Sequence, residues 1–268
     1  MAPEASLFEA GLRTLWQYNG RDPVQKEIDD AVERALQVKV ARESDAFAYL
    51  GSPRFEVEGL EHLQKVMGQN RPIILLTGHV GNFYALSVAL AQVGIVASSL
   101  ARSVAPSNSY PRRSFERINY FLSEHRMRGG WIYANYAGKL DRQLVTMCRN
   151  GGMLVVLLDL PRALFGAGRR PVRFMGRTSS LPARTVELGQ KYKAVFLTAW
   201  NTIEPEKDFL FRRCLRIEPP FPDDDDVDGI LQAFADRLSS LVIVEPWQWS
   251  GVPIINQFDE SRFKCTPN

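Results

Sequence analysis

The chain is poor in cysteine and histidine and has no long apolar run. Only 3 of its 268 residues are Cys and 3 are His. Cys148, Cys214 and Cys265 lie 66 and 51 residues apart, so no close pair offers a zinc site and the odd count excludes a complete disulfide framework. A reducing compartment fits this usage, and no metal is expected. The longest apolar runs, such as Met153 to Leu158, fall far short of the roughly 20 residues that cross a bilayer. The first residues, MAPEASLFEAGLRTLWQYNG, lack a basic segment followed by an apolar one, so neither a signal peptide nor a transmembrane anchor is expected there. Charge of one sign is also scarce: 33 Lys and Arg against 30 Asp and Glu leave 33 − 30 = +3, too little to imply nucleic acid. Gly-x-Ser-x-Gly, Gly-x4-Gly-Lys-Ser/Thr and Gly-x-Gly-x-x-Gly are all missing, which disfavours a serine hydrolase, a P-loop and a dinucleotide fold.

What remains is the composition of a folded globular protein, 45% hydrophobic and 24% charged, long enough for one large α/β domain or two small ones. Residues 5 to 50 read as helical, with Leu7, Leu12, Leu15, Trp16, Ile28, Val32, Leu36 and Val40 at three- and four-residue spacing, interrupted at Gly20-Arg21-Asp22-Pro23. Three continuous apolar runs, 73 to 77, 153 to 158 and 194 to 200, have the length and character of buried parallel strands. Weaker strand signals lie at 54 to 57, 95 to 100, 131 to 133, 172 to 175 and 212 to 217. Helices are expected at 60 to 67, 83 to 93, 115 to 122, 139 to 148, 183 to 192 and 230 to 244. Arg162 to Arg170 reads as an exposed loop and residues 251 to 268 as a tail. Strands alternating with helices predict an α/β fold, a largely parallel central sheet flanked by helices, with an N-terminal helical segment. The expected organisation is 1–50 helical, 51–250 α/β domain, 251–268 tail.

In open α/β sheets, ligands collect at the carboxyl ends of strands. His79 follows the run 73 to 77 and Asp159 follows 153 to 158. Gly78 and Gly81 flank the histidine and permit a backbone tight enough to expose the imidazole, and Asn82 opens a helix whose free N–H groups suit developing negative charge. Asp159 has two readings of equal weight, an acid partner for His79 or a turn cap beside Pro161. Glu187 and Glu116 are more remote acids, and nothing marks Cys148 as a nucleophile.

These residues carry a resemblance. Thr77-Gly78-His79-Val80-Gly81-Asn82-Phe83 resembles the Gly-His-x-Gly-Asn-aromatic segment of the bacterial lipid A late acyltransferases, members of the lysophospholipid acyltransferase superfamily. Arg102 and Asn108 stand where that family has an arginine and often an asparagine. Leu157-Leu158-Asp159-Leu160-Pro161, Val172-Arg173-Phe174-Met175-Gly176 and Pro246-x-Gln248-Trp249 resemble three further segments in the same order, so that the likeness covers about residues 55 to 250.

The resemblance implies an acyltransferase that moves an acyl group from an acyl carrier protein or acyl-CoA thioester to a hydroxyl or amine. It makes His79 the general base of a His-x4-Asp/Glu motif. With the four intervening residues being 80 to 83, the acid position falls on Tyr84, a phenol that supplies no charge at neutral pH. Three alternatives follow: His79 works with another acid, with Asp159 the best candidate; it works weakly alone; or the chain is a non-catalytic protein that binds an acyl chain or carrier protein. Arg102, Asn82, Tyr84, Gly81 and Asn108 are the implied substrate-binding residues. The basic stretches Arg102, Arg112, Arg113, Arg117 and Arg169, Arg170, Arg173, Arg177 suit the phosphate of phosphopantetheine or coenzyme A, and an acidic carrier protein as partner. The family's hydrophobic anchor has no counterpart in this sequence, so a cytoplasmic protein, with peripheral contact at the inner face of a membrane allowed, and a smaller acceptor are expected. No bound cofactor is expected.

Overall fold

Apolar runs without alternation need a sheet covered on both faces, and the fold supplies one. The computed structural model describes residues 3–48, 54–101, 129–133, 139–162, 168–206 and 211–260. The strands are β1 (Glu56–Glu58), β2 (Ile73–Thr77), β3 (Ser98–Ala101), β4 (Trp131–Tyr133), β5 (Met153–Leu157), β6 (Arg169–Phe174), β7 (Arg177–Pro182), β8 (Val195–Pro205) and β9 (Phe211–Ile217). Seven of them form a sheet in the order β1-β9-β8-β2-β5-β3-β4, parallel except for the antiparallel β8–β9 pair. The three strong runs therefore sit side by side at its centre, as β8, β2 and β5.

Side chains alternate across this sheet. Ile73, Leu75, Met153, Val155, Val195 and Leu197 pack with Leu63 and Val66 of α3 (Leu60–Met67) and Leu86 and Leu90 of α4 (Leu86–Gln92). Ile74, Leu76, Leu154, Val156 and Phe196 face the larger core on the opposite side. Helix α7 (Val227–Val244) fills that side with Ile230, Leu231, Phe234, Ala235, Leu238 and Val242, while Asp226 caps it by accepting from the Gly229 N–H at 2.8 Å. Two shorter helices, α5 (Lys139–Arg149) and α6 (Arg184–Lys191), complete the layers. The edge strand β1 is lined by charge: Glu56 and Glu58 meet Arg212 and Arg216 of β9. Such exposed pairs add little energy, but they make the edge unattractive to another strand.

The N-terminal segment folds as α1 (Pro3–Tyr18) and α2 (Gln25–Ala48), broken where expected. Its buried stripe differs from the predicted one. Leu12, Leu15, Trp16, Ile28, Ala31, Val38 and Ala41 are buried, whereas Leu7, Leu36 and Val40 are exposed. Steps of four residues rotate 40° past a full turn each time, so a line drawn through 28, 32, 36 and 40 walks off the core face.

Four further expectations change. Arg169 and Arg170, read as loop, belong to β6, which forms a two-stranded antiparallel hairpin with β7; strand signals at 177–182 were hidden by Thr and Ser. The helix at 83 opens as a 3₁₀ turn (Phe83–Ala85) before α4. The strand from 194 runs on to Pro205. The residues read as a tail contain a 3₁₀ segment, Val252–Phe258, whose Val252, Ile255 and Phe258 are buried in the main core alongside α1 residues Phe8, Leu12, Leu15 and Trp16. The helix expected at 115 to 122 lies outside the described residues.

Because Phe258 is core, Phe258→Ala should destabilise the fold by about 3–5 kcal/mol. Urea denaturation followed by tryptophan fluorescence measures this, and a loss under about 0.5 kcal/mol, the usual cost of a surface change, would return the segment to a tail.

Candidate active site

Strands β2 and β5 pair in parallel with Ile73 opposite Met153 and Thr77 opposite Leu157. The pairing continues past the strands, since the Leu158 N–H donates to the Thr77 carbonyl at 3.0 Å. Each residue of one chain segment thus faces the residue 80 positions on, and two steps beyond the strand ends this places His79 beside Asp159. Their side chains meet: His79 Nδ1 lies 2.7 Å from Asp159 Oδ1. The second carboxylate oxygen accepts the His79 main-chain N–H at 2.7 Å and the Trp249 indole Nε1–H at 2.7 Å. Asp159 is buried, with 1% of its side chain exposed, while the His79 side chain is 29% exposed. With Nδ1 held by the carboxylate, Nε2 is the ring nitrogen left for a reactant.

Around this pair the backbone is tight. Gly81 has φ +50°, and a Cβ there would lie 2.1 Å from the Asn201 carbonyl oxygen of β8, so only glycine fits. A Cβ at Gly78 would sit 3.0 Å from Asp159 Oδ2. Phe83 packs edge-on against the imidazole, ring centroids 4.6 Å apart, and Tyr84 lies tilted against Phe83 at 4.2 Å.

The loop is held from the C-terminal side by Pro246–Gln248 and the two residues after it. Val80 and Trp249 form an antiparallel bridge, the Gly81 N–H donates to the Gln248 carbonyl at 2.7 Å, and the Ser250 N–H donates to the His79 carbonyl at 3.0 Å. The Gln248 amide in turn bonds both main-chain groups of Ile203 on β8. Gln248, Trp249 and Ser250 are thus parts of the site that sequence reasoning did not assign, although Pro246-x-Gln248-Trp249 stood out as a motif. The signal lay in that motif, which sets an amide and an indole side by side just past the last long helix.

Of the residues predicted from sequence, the structure brings together His79, Asp159, Gly81, Asn82 and Tyr84. The two amides that lead into the helix, those of Gly81 and Asn82, are not free. Gly81 donates to Gln248, and Asn82 N–H donates to the Asn201 carbonyl at 3.1 Å, while the Asn82 carbonyl accepts from the Asn201 amide at 2.7 Å. Asn82 is fully buried and serves as a joint to β8. Glu187 lies away from the site, paired with Arg170. The second basic stretch is largely committed within the fold. Arg169 bonds the Leu160 carbonyl and Ser180, Arg170 pairs with Glu187 and Asp228, and Arg177 lies over the Tyr18 ring. Arg102, Asn108, Arg112, Arg113, Arg117, Glu116 and Cys265 lie outside the described residues.

Among the described residues no cluster of His, Cys, Asp or Glu can hold a metal ion, and no helix is long and apolar enough to cross a membrane. Burial pushes the Cys214 thiol up to about 11, with Glu58 adding to the effect, and raises Cys148 as well, so both are poor nucleophiles near neutrality.

The chain was also compared with known proteins. No curated protein matches it. The family model for bacterial lipid A biosynthesis acyltransferases matches residues 50–252, about three quarters of the sequence, and spans β1, the His79 loop, Asp159 and the Trp249 segment. The chain belongs to the bacterial lipid A biosynthesis acyltransferase family.

Proposed function

We propose that the protein transfers an acyl group from an acyl carrier protein or acyl-CoA thioester to a hydroxyl or amine, with His79 as general base and Asp159 as its acid partner. The observation that carries this reading is the 2.7 Å contact between His79 Nδ1 and Asp159 Oδ1. It answers the absence of a carboxylate at Tyr84. Asp159 accepts the Nδ1–H, which fixes the ring and leaves the Nε2 lone pair for the acceptor. As the acceptor oxygen or nitrogen attacks the thioester carbonyl, its proton passes to Nε2. The buried carboxylate stabilises the imidazolium. When the tetrahedral adduct collapses, the C–S bond breaks and the same proton goes to the departing thiolate, giving an ester or amide and a free thiol.

Tyr84, tilted against Phe83, then lines the approach without replacing the acid. Arg102 and Asn108 are assigned by resemblance to the donor phosphate or the acceptor. An acidic carrier protein is the proposed partner, and the cytoplasm or the inner face of a membrane is the proposed location. The alternative, a protein that binds acyl chains without catalysis, draws on Tyr84 alone.

His79→Ala should lower turnover of a long-chain acyl carrier protein thioester by roughly 10²-fold or more with the folded state retained. Hydrolysis and acceptor transfer are followed separately by mass spectrometry. Asp159→Asn should cause a comparable loss of kcat, because an amide neither holds the ring in the productive tautomer nor stabilises imidazolium. Wild-type protein that binds the thioester but transfers nothing to any hydroxyl or amine tested, unaffected by either change, would sink the enzyme reading in favour of the binding one.

Tyr84→Glu should leave turnover near the wild-type value, since Nδ1 is already occupied by Asp159. A large gain would mean that the Asp159 contact is not the working one. In a Cys265→Ser protein, Cys148 and Cys214 should resist iodoacetamide from pH 7 to pH 9. Their raised thiol pKa values keep them protonated as pH climbs through the usual cysteine range. Rapid alkylation with loss of turnover would point to a thiol nucleophile instead.

A further inference from the structure

Asp159 is a buried carboxylate whose one ionisable partner among the described residues is the imidazole it orients. No Lys or Arg reaches it there. Taking a carboxylate out of water costs several kcal/mol unless donors replace the lost solvent. The donors are three N–H groups: His79 Nδ1 on Oδ1, and the His79 main chain and Trp249 Nε1 on Oδ2, each at 2.7 Å. Two belong to His79 itself. Among the described residues, Trp249 is therefore the one donor that ties the carboxylate to the rest of the fold.

We infer that Trp249 is a positioning residue for this reaction: its indole N–H fixes the Asp159 carboxylate in the plane that presents Oδ1 to His79. This rests on the acyl-transfer reading of the His79–Asp159 pair. An indole suits the task for two reasons. It is a donor only, so it cannot turn an acceptor toward the carboxylate. It is also neutral. A Lys or Arg at this place would hold the carboxylate as firmly but would cancel the charge that the imidazolium needs, whereas an N–H dipole leaves a net negative charge for His79.

The ring itself is immobilised. Trp249 is fully buried, packs edge-on to Phe174 at 5.6 Å and against Phe258 at 5.4 Å, and its backbone bridges to Val80. A Cβ at Gly251 would lie 2.2 Å from the indole, so the neighbouring turn closes over it. The same residue thus fixes the carboxylate through its side chain and the histidine loop through its main chain.

The test compares full-length wild-type protein with Trp249→Phe and with 3-benzothienylalanine at position 249, which keeps the two-ring shape but has sulfur in place of N–H. The second variant decides if the phenylalanine variant does not fold. Two quantities are read: kcat and KM for a long-chain acyl carrier protein thioester, and the low-field proton resonance of His79 Nδ1–H. With only 3 His in the chain, that resonance is assigned by its loss in His79→Ala. Loss of the N–H should lower kcat by roughly 10- to 100-fold with KM nearly unchanged, and should move the resonance further downfield, since a carboxylate with fewer donors pulls harder on the remaining proton. An unmoved resonance, or a change confined to KM, in the benzothienyl protein would overturn the role. If wild-type protein shows no turnover at all, the acyl-transfer reading fails separately. The resonance then still decides whether Trp249 holds Asp159.

Discussion

The parallel register of β2 and β5 is the constraint on which the site depends. Because Thr77 lies opposite Leu157, two further residues on each strand suffice to bring His79 and Asp159 together. A slip of one residue would turn Asp159 to the other face, away from the imidazole, and would reverse which of Ile73 and Ile74 faces each core. The register is therefore set by both apolar layers at once, and the chemistry inherits a precision that loop residues alone would lack.

Burial of the acid then imposes a second requirement. A solvated carboxylate next to His79 would need no helpers, but one with 1% of its side chain exposed needs donors from elsewhere. The amides that follow Val80 do not supply them, since those of Gly81 and Asn82 are spent on Gln248 and Asn201. The supply comes from residues 246–250, almost 90 positions beyond Asp159. That segment is itself held by the N-terminal helices: Arg34 of α2 lies over the Trp247 ring at 4.5 Å, and α1 packs on Val252–Phe258. Helices α1 and α2 and residues 246–258, which look peripheral in sequence, thus support the site from behind.

This explains what could and could not be read from the sequence. Fully apolar runs identify β2, β5 and β8, since only strands covered on both faces are so uniform, and the polar residues just after them mark the site. Asp159 was legible as a candidate; its contact with His79 was not, because register is a tertiary property. Leu36 and Val40 misled because four-residue spacing drifts around a helix, and β7 escaped because Thr178, Ser179 and Ser180 give no apolar signal although the two serines are buried. The role of Trp249 was the least visible. An indole in an aromatic-rich turn reads as packing until its N–H is found on a carboxylate.

The arrangement also explains how a tyrosine can stand at position 84. A carboxylate five residues after a histidine would reach it across one turn of the following helix, and the two would share a local segment with solvent nearby. A carboxylate just past the adjacent strand instead reaches the imidazole from the sheet, through Nδ1, and on the proposed reading occupies the nitrogen that an acid partner uses while Nε2 is left for the reactants. The two solutions exclude each other at that nitrogen. On the acyl-transfer reading, with Asp159 on Nδ1, a carboxylate at 84 would find no Nδ1 proton left to accept and would add little to the pair. A neutral ring packed on Phe83 is therefore compatible with the proposed pair, whose acid stands on the sheet rather than on the helix.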